Sequence, residues 1–205
     1  MNKELIEKEL NLLFPNPKCE LNYTKDYELV LSVMLSAQTT DKRVNIVTGE
    51  LYKKYDSLLK LNELTTEELN ECLKTIGFHK TKSNYFKEIV SKLLEKGYVP
   101  NDREYLEKLP GVGRKTASVV LSQLFDEPSF AVDTHVYRVS KRLGITKLND
   151  DVLKTEEKLK KYFDKNKWNR INSQLVLFGR YHCTSKSPKC ENCNLKNICK
   201  KDKLK

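Results

Sequence analysis

Four cysteines crowd a short stretch near the end of this chain, at Cys183, Cys190, Cys193 and Cys199, in the pattern C-x6-C-x2-C-x5-C. Thiols this close in sequence are either paired with one another or gathered on a metal, and in both cases the tail has to fold around them. The other two cysteines, Cys19 and Cys72, stand far apart and read as ordinary buried side chains. The opening residues, MNKELIEKEL, mix acids with lysines and lack the apolar core of a secretion signal. No apolar run is long enough to span a membrane. The chain is therefore expected in a reducing, intracellular compartment, where metal ligation is favoured over disulfides. Four thiolates suit zinc or a [4Fe-4S] cube. Zinc sites usually pair two short C-x2-4-C knuckles, whereas only Cys190 and Cys193 form one here. The irregular spacing fits a cube better and leaves zinc open.

The tail is also basic. From Arg180 to Lys205 eight lysines or arginines face only Glu191 and Asp202, and the whole chain carries a formal charge of +10. A lysine-rich solvated surface would give the same total, but concentration of the excess around the cysteines points to a polyanionic partner such as nucleic acid.

Apolar residues recur at helical spacing almost throughout, and no stretch alternates with period two, so the expected class is all-α. The pattern predicts helices over 2–14, 26–37, 41–55, 79–96, 102–108, 114–125, 150–163 and 167–182. Asp41 is expected to cap the third of these. Thr65 and Glu68 form a capping-box signature, with Gly77 expected to end that helix. Asp133 is expected to cap a helix ending at Gly144. Only short pieces such as 130–132 read as extended. A seam is expected near 126–131, and Pro15 and Pro17 free the first helix to pack with either half.

Residues 109–117, L-P-G-V-G-R-K-T-A, read as a turn between two helices. Gly111 and Gly113 lack Cβ, so the backbone can take positive φ or approach another group closely. The N–H groups opening the second helix then converge on one spot with the positive end of the helix dipole, a site suited to a phosphate. A plain tight turn is the simpler reading of two glycines alone. Lys115 lies in the first turn of that second helix, where the dipole disfavours an ammonium and a neutral amine is a nucleophile able to form a Schiff base. A lysine that merely contacts phosphate, like Arg114 beside it, is the simpler reading from position alone.

The nine-residue string resembles a helix-hairpin-helix DNA-binding motif. Taken with L-S-A-Q-T-T-D (35–41), T-I-G (75–77), A-V-D-T-H-V-Y-R-V (131–139) and the cysteine tail, in this order, it resembles the endonuclease III family of base-excision DNA glycosylases from about residue 20 to 199. The resemblance implies two helical lobes with the active-site cleft between them. One is a helical barrel of residues 21–128 with the hairpin at about 102–125. The other comprises residues 1–20 plus 129–205 and holds a [4Fe-4S] cluster on Cys183, Cys190, Cys193 and Cys199. It implies a bifunctional glycosylase and AP lyase acting on double-stranded DNA that contains a damaged pyrimidine or an abasic site. Lys115 is then the Schiff-base nucleophile, and Asp133 offsets charge developing on the sugar.

The same resemblance assigns DNA contacts. Gln38 matches a glutamine inserted into the gap left by the extruded base, and Phe78 stands where leucine is more usual. His79 stands where tyrosine is common. Gly111, Gly113 and Arg114 grip phosphate, His135 contacts DNA or packs, and Lys186 and Lys189 in the loop between the first two cysteines face phosphates. Without the resemblance, Gln38 reads as a helix-end residue and Phe78 as a core aromatic. The implied protein is a monomer with no membrane association, cytoplasmic and nucleoid-associated. An adenine-specific mismatch glycosylase would be expected to lack Lys115 and to continue into a further domain after the cysteines. A non-catalytic iron–sulfur DNA-binding module would not need both Lys115 and Asp133.

Overall fold

The computed structural model describes residues 2–201, and among them every regular element is helical. In chain order the α-helices are α1 (Asn2–Leu13), α2 (Asp26–Leu35), α3 (Asp41–Lys54), α4 (Leu58–Glu63), α5 (Thr66–Leu73), α6 (His79–Lys96), α7 (Arg103–Glu107), α8 (Arg114–Leu124), α9 (Thr134–Arg142), α10 (Val152–Tyr162) and α11 (Trp168–Leu177). The chain divides into two compact units, Cys19–Phe125 and Met1–Lys18 with Asp126–Lys205. No described helix is long and apolar enough to cross a membrane.

The Cys19–Phe125 unit is built on α2. Its sequence is apolar on most faces because it is enclosed: every side chain from Leu29 to Leu35 is buried, and α3, α6 and α8 pack around it. Burying each of its large aliphatic side chains is worth roughly 1.5–3 kcal/mol. Glu28, also buried, is satisfied by the chain just before the helix, its carboxylate accepting from the N–H groups of Thr24 (2.7 Å) and Lys25 (3.1 Å). The capping box of α5 forms as its sequence predicts, with Glu68 N–H donating to Thr65 Oγ1 and Thr65 N–H to the Glu68 carboxylate. Gly97 ends α6 in the left-handed region at φ 80°.

Several details depart from the sequence reading. Thr40, not Asp41, caps α3 by accepting from Arg43 N–H, and Asp41 occupies the first helical turn. Gly77 does not end α5, which stops at Leu73; it lies in the turn before α6. The short α4 was not anticipated, although Ser57 caps it through Lys60 N–H. Cys72 is exposed rather than buried, because it falls on the outer face of α5, whose buried residues are Leu69 and Leu73.

In the other unit, α1 packs along α11. Ile6 and Leu10 join Phe130, Val136, Val139, Ile171, Leu175 and Phe178 in one core. The two helices are also stitched by polar groups. The buried amide of Gln174 donates to Asn11 Oδ1 (2.9 Å) and Phe14 O (3.0 Å), and Arg170 donates to Asn11 and to Pro15 O. The helix expected over 167–182 changes character inside that range: after Leu177 it loosens into a π turn at Phe178–His182, which delivers the chain to Cys183. Residues 126–133 run without regular structure.

Candidate functional site

In the Cys19–Phe125 unit the hairpin between α7 and α8 separates its two glycines. Gly111 takes φ 72° and faces inward, where a Cβ would lie 2.7 Å from the Tyr85 ring and 3.1 Å from Met34. It therefore answers both a steric and a conformational demand. Gly113 does not take positive φ. It is extended (φ −92°, ψ −178°), begins α8 as its N-cap, and has open space where a Cβ would stand. Val112 between them is buried and anchors the turn. No side chain caps α8, so the positive end of its dipole meets solvent. Arg114 and Lys115 are both exposed in that first turn, so Lys115 gains no burial from the protein itself.

The second feature of this unit is a pair of loops. Gln38 and Phe78 both hold left-handed backbone, at φ 55° and 59°, and Asp126 is the one other described non-glycine residue that does so. Each such residue costs of the order of 1–3 kcal/mol and persists only where its surroundings hold it there. Both side chains point outward: Gln38 is exposed, and Phe78 is 65% exposed, so it is no core aromatic. The loops touch. Gly77 N–H donates to Thr39 Oγ1 (3.2 Å), and a Cβ on Gly77 would come within 3.2 Å of the Gln38 carbonyl. His79, which begins α6, is half-buried.

In the other unit Asp133 caps α9. Its Oδ1 accepts from His135 N–H (2.9 Å) and Val136 N–H (2.8 Å), while Oδ2 makes no hydrogen bond among the described residues. The cap thus orients the carboxylate and leaves one oxygen available. His135 packs its Cβ against Gly179, where any side chain would clash at 2.7 Å, and its Nδ1 lies 3.3 Å from Arg138.

One turn further along α9, Arg138 and Arg142 reach the cysteine tail. Arg138 donates to Gly179 O (2.7 Å) and Cys183 O (3.2 Å). Arg142 donates to Thr184 O (2.7 Å), Ser185 O (3.1 Å) and the Cys183 sulfur (3.3 Å). Neither arginine was singled out from the sequence, and only their i, i+4 spacing on the helix begun by Asp133 marked them as neighbours.

All four tail cysteines carry free thiols and line one cavity of about 140 Å³. Burial pushes the Cys193 and Cys199 thiols up, and the neighbouring cysteines push them further. Two buried thiols whose ionisation is disfavoured in this way, crowded with two more sulfurs around one cavity, are what a metal centre relieves, since a cation inverts that penalty. Cationic donors already surround them, with Lys201 reaching Cys190 (3.8 Å) beside the Arg142 contact. Buried Glu9 and His182 and half-buried Cys193 also present ligand atoms within 4.8 Å of one another. His182 Nε2 is buried without a partner, and Asn194 donates to the Glu9 carboxylate. The donor set fits a thiolate-held centre with a polar shell behind it. Lys186 and Lys189 are exposed on the loop between Cys183 and Cys190, which is pinned by Lys189 N–H donating to His182 O (3.0 Å).

Residues 31–165 match the family described as HhH-GPD superfamily base excision DNA repair protein. The chain is 45% identical to endonuclease III of Bacillus subtilis over 190 residues, which is 92% of this chain and 87% of that one. It is 40% identical to endonuclease III of Escherichia coli K12 over 187 residues, covering 90% and 88%. Among solved structures it is similar to a trapped endonuclease III–DNA covalent intermediate, with a TM-score of 0.91, 42% identity, and 98% and 97% of the two chains covered. A thermostable thymine-DNA glycosylase shares the fold, with a TM-score of 0.82 at 21% identity over 97% and 95% of the two chains.

Proposed function

The chain belongs to the endonuclease III family within the HhH-GPD superfamily of base excision repair proteins, and on that premise we propose that it excises oxidised pyrimidines through Lys115 and then nicks the strand 3′ to the abasic site. It is a DNA glycosylase and AP lyase that binds duplex DNA. Relatives and solved neighbours alike favour this over an adenine-specific mismatch enzyme or a non-catalytic module. Association with the nucleoid follows from such a substrate.

The observation that carries the mechanism is the exposed Lys115 in the first turn of an uncapped helix whose leading Gly113 opens to solvent. DNA phosphate settles against the N–H groups of that helix end, with Arg114 beside it. A damaged nucleotide leaves the stack, Gln38 and Phe78 fill the gap, and stacking on Phe78 contributes roughly 1–3 kcal/mol. Lys115 Nζ attacks C1′. The glycosidic bond breaks and its electron pair departs with the base. Asp133, held by its own cap with Oδ2 available, offsets the positive charge that develops on the sugar. The amine loses its proton as the ring opens, giving a Schiff base. Loss of a 2′ proton then expels the 3′ phosphate, and hydrolysis of the imine regenerates the amine.

Cys183, Cys190, Cys193 and Cys199 are the residues that would hold a [4Fe-4S] cluster, and the crowded free thiols around one cavity support this. Bound there, it supplies a rigid four-point tie for the tail. The loop between the first two ligands presents Lys186 and Lys189 to phosphates without further ordering on binding, and His135 and His79 take positions flanking the DNA.

Borohydride trapping tests the reading. Wild type mixed with duplex containing thymine glycol or an abasic site forms a covalent adduct, and Lys115→Ala forms none. Absence of an adduct with the wild type removes the lyase reading, and an adduct that survives Lys115→Ala removes that lysine from its role.

A further inference from the structure

A buried cation sits beneath the two strained loops. Lys82, on α6, is only 5% exposed, and among the described residues no carboxylate pairs with it. An isolated buried ammonium is costly, so its hydrogen bonds must all be met by fixed acceptors. Lys82 Nζ donates to Leu35 O (2.8 Å), Ala37 O (2.5 Å) and Thr39 Oγ1 (3.3 Å). The first closes the C-terminal end of α2, where a cation complements the dipole. The other two flank Gln38 on either side. The backbone N–H of the same residue donates to Phe78 O (3.0 Å), the first bond of α6. Thr39 Oγ1 in turn accepts from Gly77 N–H. One residue thus grips the segment around Gln38 with its side chain and the carbonyl of Phe78 with its backbone, and Thr39 joins the two loops between them. Three ammonium hydrogens meet three acceptors, so every donor is satisfied. Burial pushes the Lys82 amine down, as expected for a cation kept for its geometry.

We propose that Lys82 is a positioning residue for base extrusion: it holds the Gln38 and Phe78 loops in their left-handed conformations before DNA arrives, so that both side chains enter the duplex without a further ordering cost. The proposal rests on the reading of Gln38 and Phe78 as the inserted pair. Pre-ordered loops lower the cost of the opened complex rather than that of attack by Lys115, which separates Lys82 from the chemistry.

The experiment compares Lys82→Met, which keeps the length of the side chain and removes its donors, with Gln38→Ala, Phe78→Ala and the combined variants. Extrusion is read as fluorescence of 2-aminopurine placed opposite thymine glycol in a duplex. Borohydride trapping on a single-stranded abasic oligonucleotide, which has no stack to open, serves as the reference. Folded Lys82→Met is expected to lose about 10- to 100-fold in extrusion and single-turnover excision while trapping the single strand within about twofold of wild type. Added to the Gln38→Ala, Phe78→Ala double variant, it is expected to change extrusion by less than about twofold, since its effect passes through those two residues. Wild-type extrusion in folded Lys82→Met, an equal loss on both substrates, or full additivity each overturns the proposal. If Gln38→Ala and Phe78→Ala themselves extrude normally, the inserted-pair reading fails first and the proposal falls with it. Should Lys82→Met not fold, Thr39→Val removes the shared acceptor from the loop side. A loss of extrusion of about threefold with intact single-strand trapping supports the latch, and no loss overturns it.

Discussion

The two units are of similar length but are held together differently. Residues 19–125 wrap α2, buried from Glu28 to Leu35, in a cluster of 25 buried apolar side chains, and Gln38, Phe78 and Lys115 stand exposed outside that core. Among the described residues, the unit of residues 1–18 and 126–205 has 13 buried apolar side chains in its cluster. It relies on polar stitches in place of the missing apolar area: Gln174 and Arg170 to Asn11, Glu9 to Asn194, Arg138 and Arg142 to the tail, and four thiols around a cavity. A smaller core needs a staple. On this contrast the hairpin unit is expected to hold Lys115 by packing alone, and the unit carrying Asp133 to depend on the tie proposed at its four tail cysteines.

Removing Lys115 has the largest expected effect, because it takes away the covalent route itself. Lys115→Ala should lower single-turnover excision by about 10³-fold or more while its melting temperature stays at the wild-type value. Asp133→Asn comes next. Asparagine still caps α9, so stability should hardly change, but loss of the negative charge should slow excision about 10²- to 10³-fold. A large drop in melting temperature with little loss of rate would return Asp133 to a purely structural role. Cys193→Ser tests the staple: the purified protein should lose visible absorption and melt at least about 5 °C lower. Protection from hydrogen exchange should fall in α9 and α11 and persist in α2 and α6. Uniform loss across both units would contradict the asymmetry.

Smaller effects sharpen it further. Lys186→Ala and Lys189→Ala should each weaken DNA binding independently of sequence and lower the salt slope by about one. The smallest concerns Asp150, whose carboxyl is held below the usual carboxylate range by the Lys158 ammonium and the Lys147 N–H. A depressed pKa stabilises the folded state above the ordinary carboxylate pKa of about 4 and loses that contribution as pH falls through the folded value. Asp150→Asn should therefore melt slightly below wild type at pH 7, and the gap should close below about pH 4.

Much of the helical order was legible because capping and periodicity are local. The α5 capping box, the Gly97 stop of α6 and the Asp133 cap of α9 each involve residues within four positions of one another. The six-residue α4 was too short for periodicity to register. Thr40 and Asp41 are both good caps, and local sequence does not rank them. Gly111 and Gly113 look alike in sequence, but in the fold Gly111 takes positive φ against Tyr85 and Met34 while Gly113 is extended with open space beside it. The left-handed backbone of Gln38 and Phe78 carries no glycine to announce it, and its cause lies 45 residues from Ala37, in the side chain of Lys82. Arg138 and Arg142 were equally hidden, since most of their acceptors are carbonyls, which have no signature in sequence. The cysteine spacing singled out the four thiols that line one cavity, but the arginines that tie that tail to the helix of Asp133 emerged only from the fold.

The most direct measurement of the central claim is peptide mapping of the borohydride-reduced adduct between wild-type protein and abasic duplex. A single modified residue is expected, Lys115, carrying the mass of the reduced sugar fragment. A crosslink at another amine, with Lys115 unmodified, would contradict it.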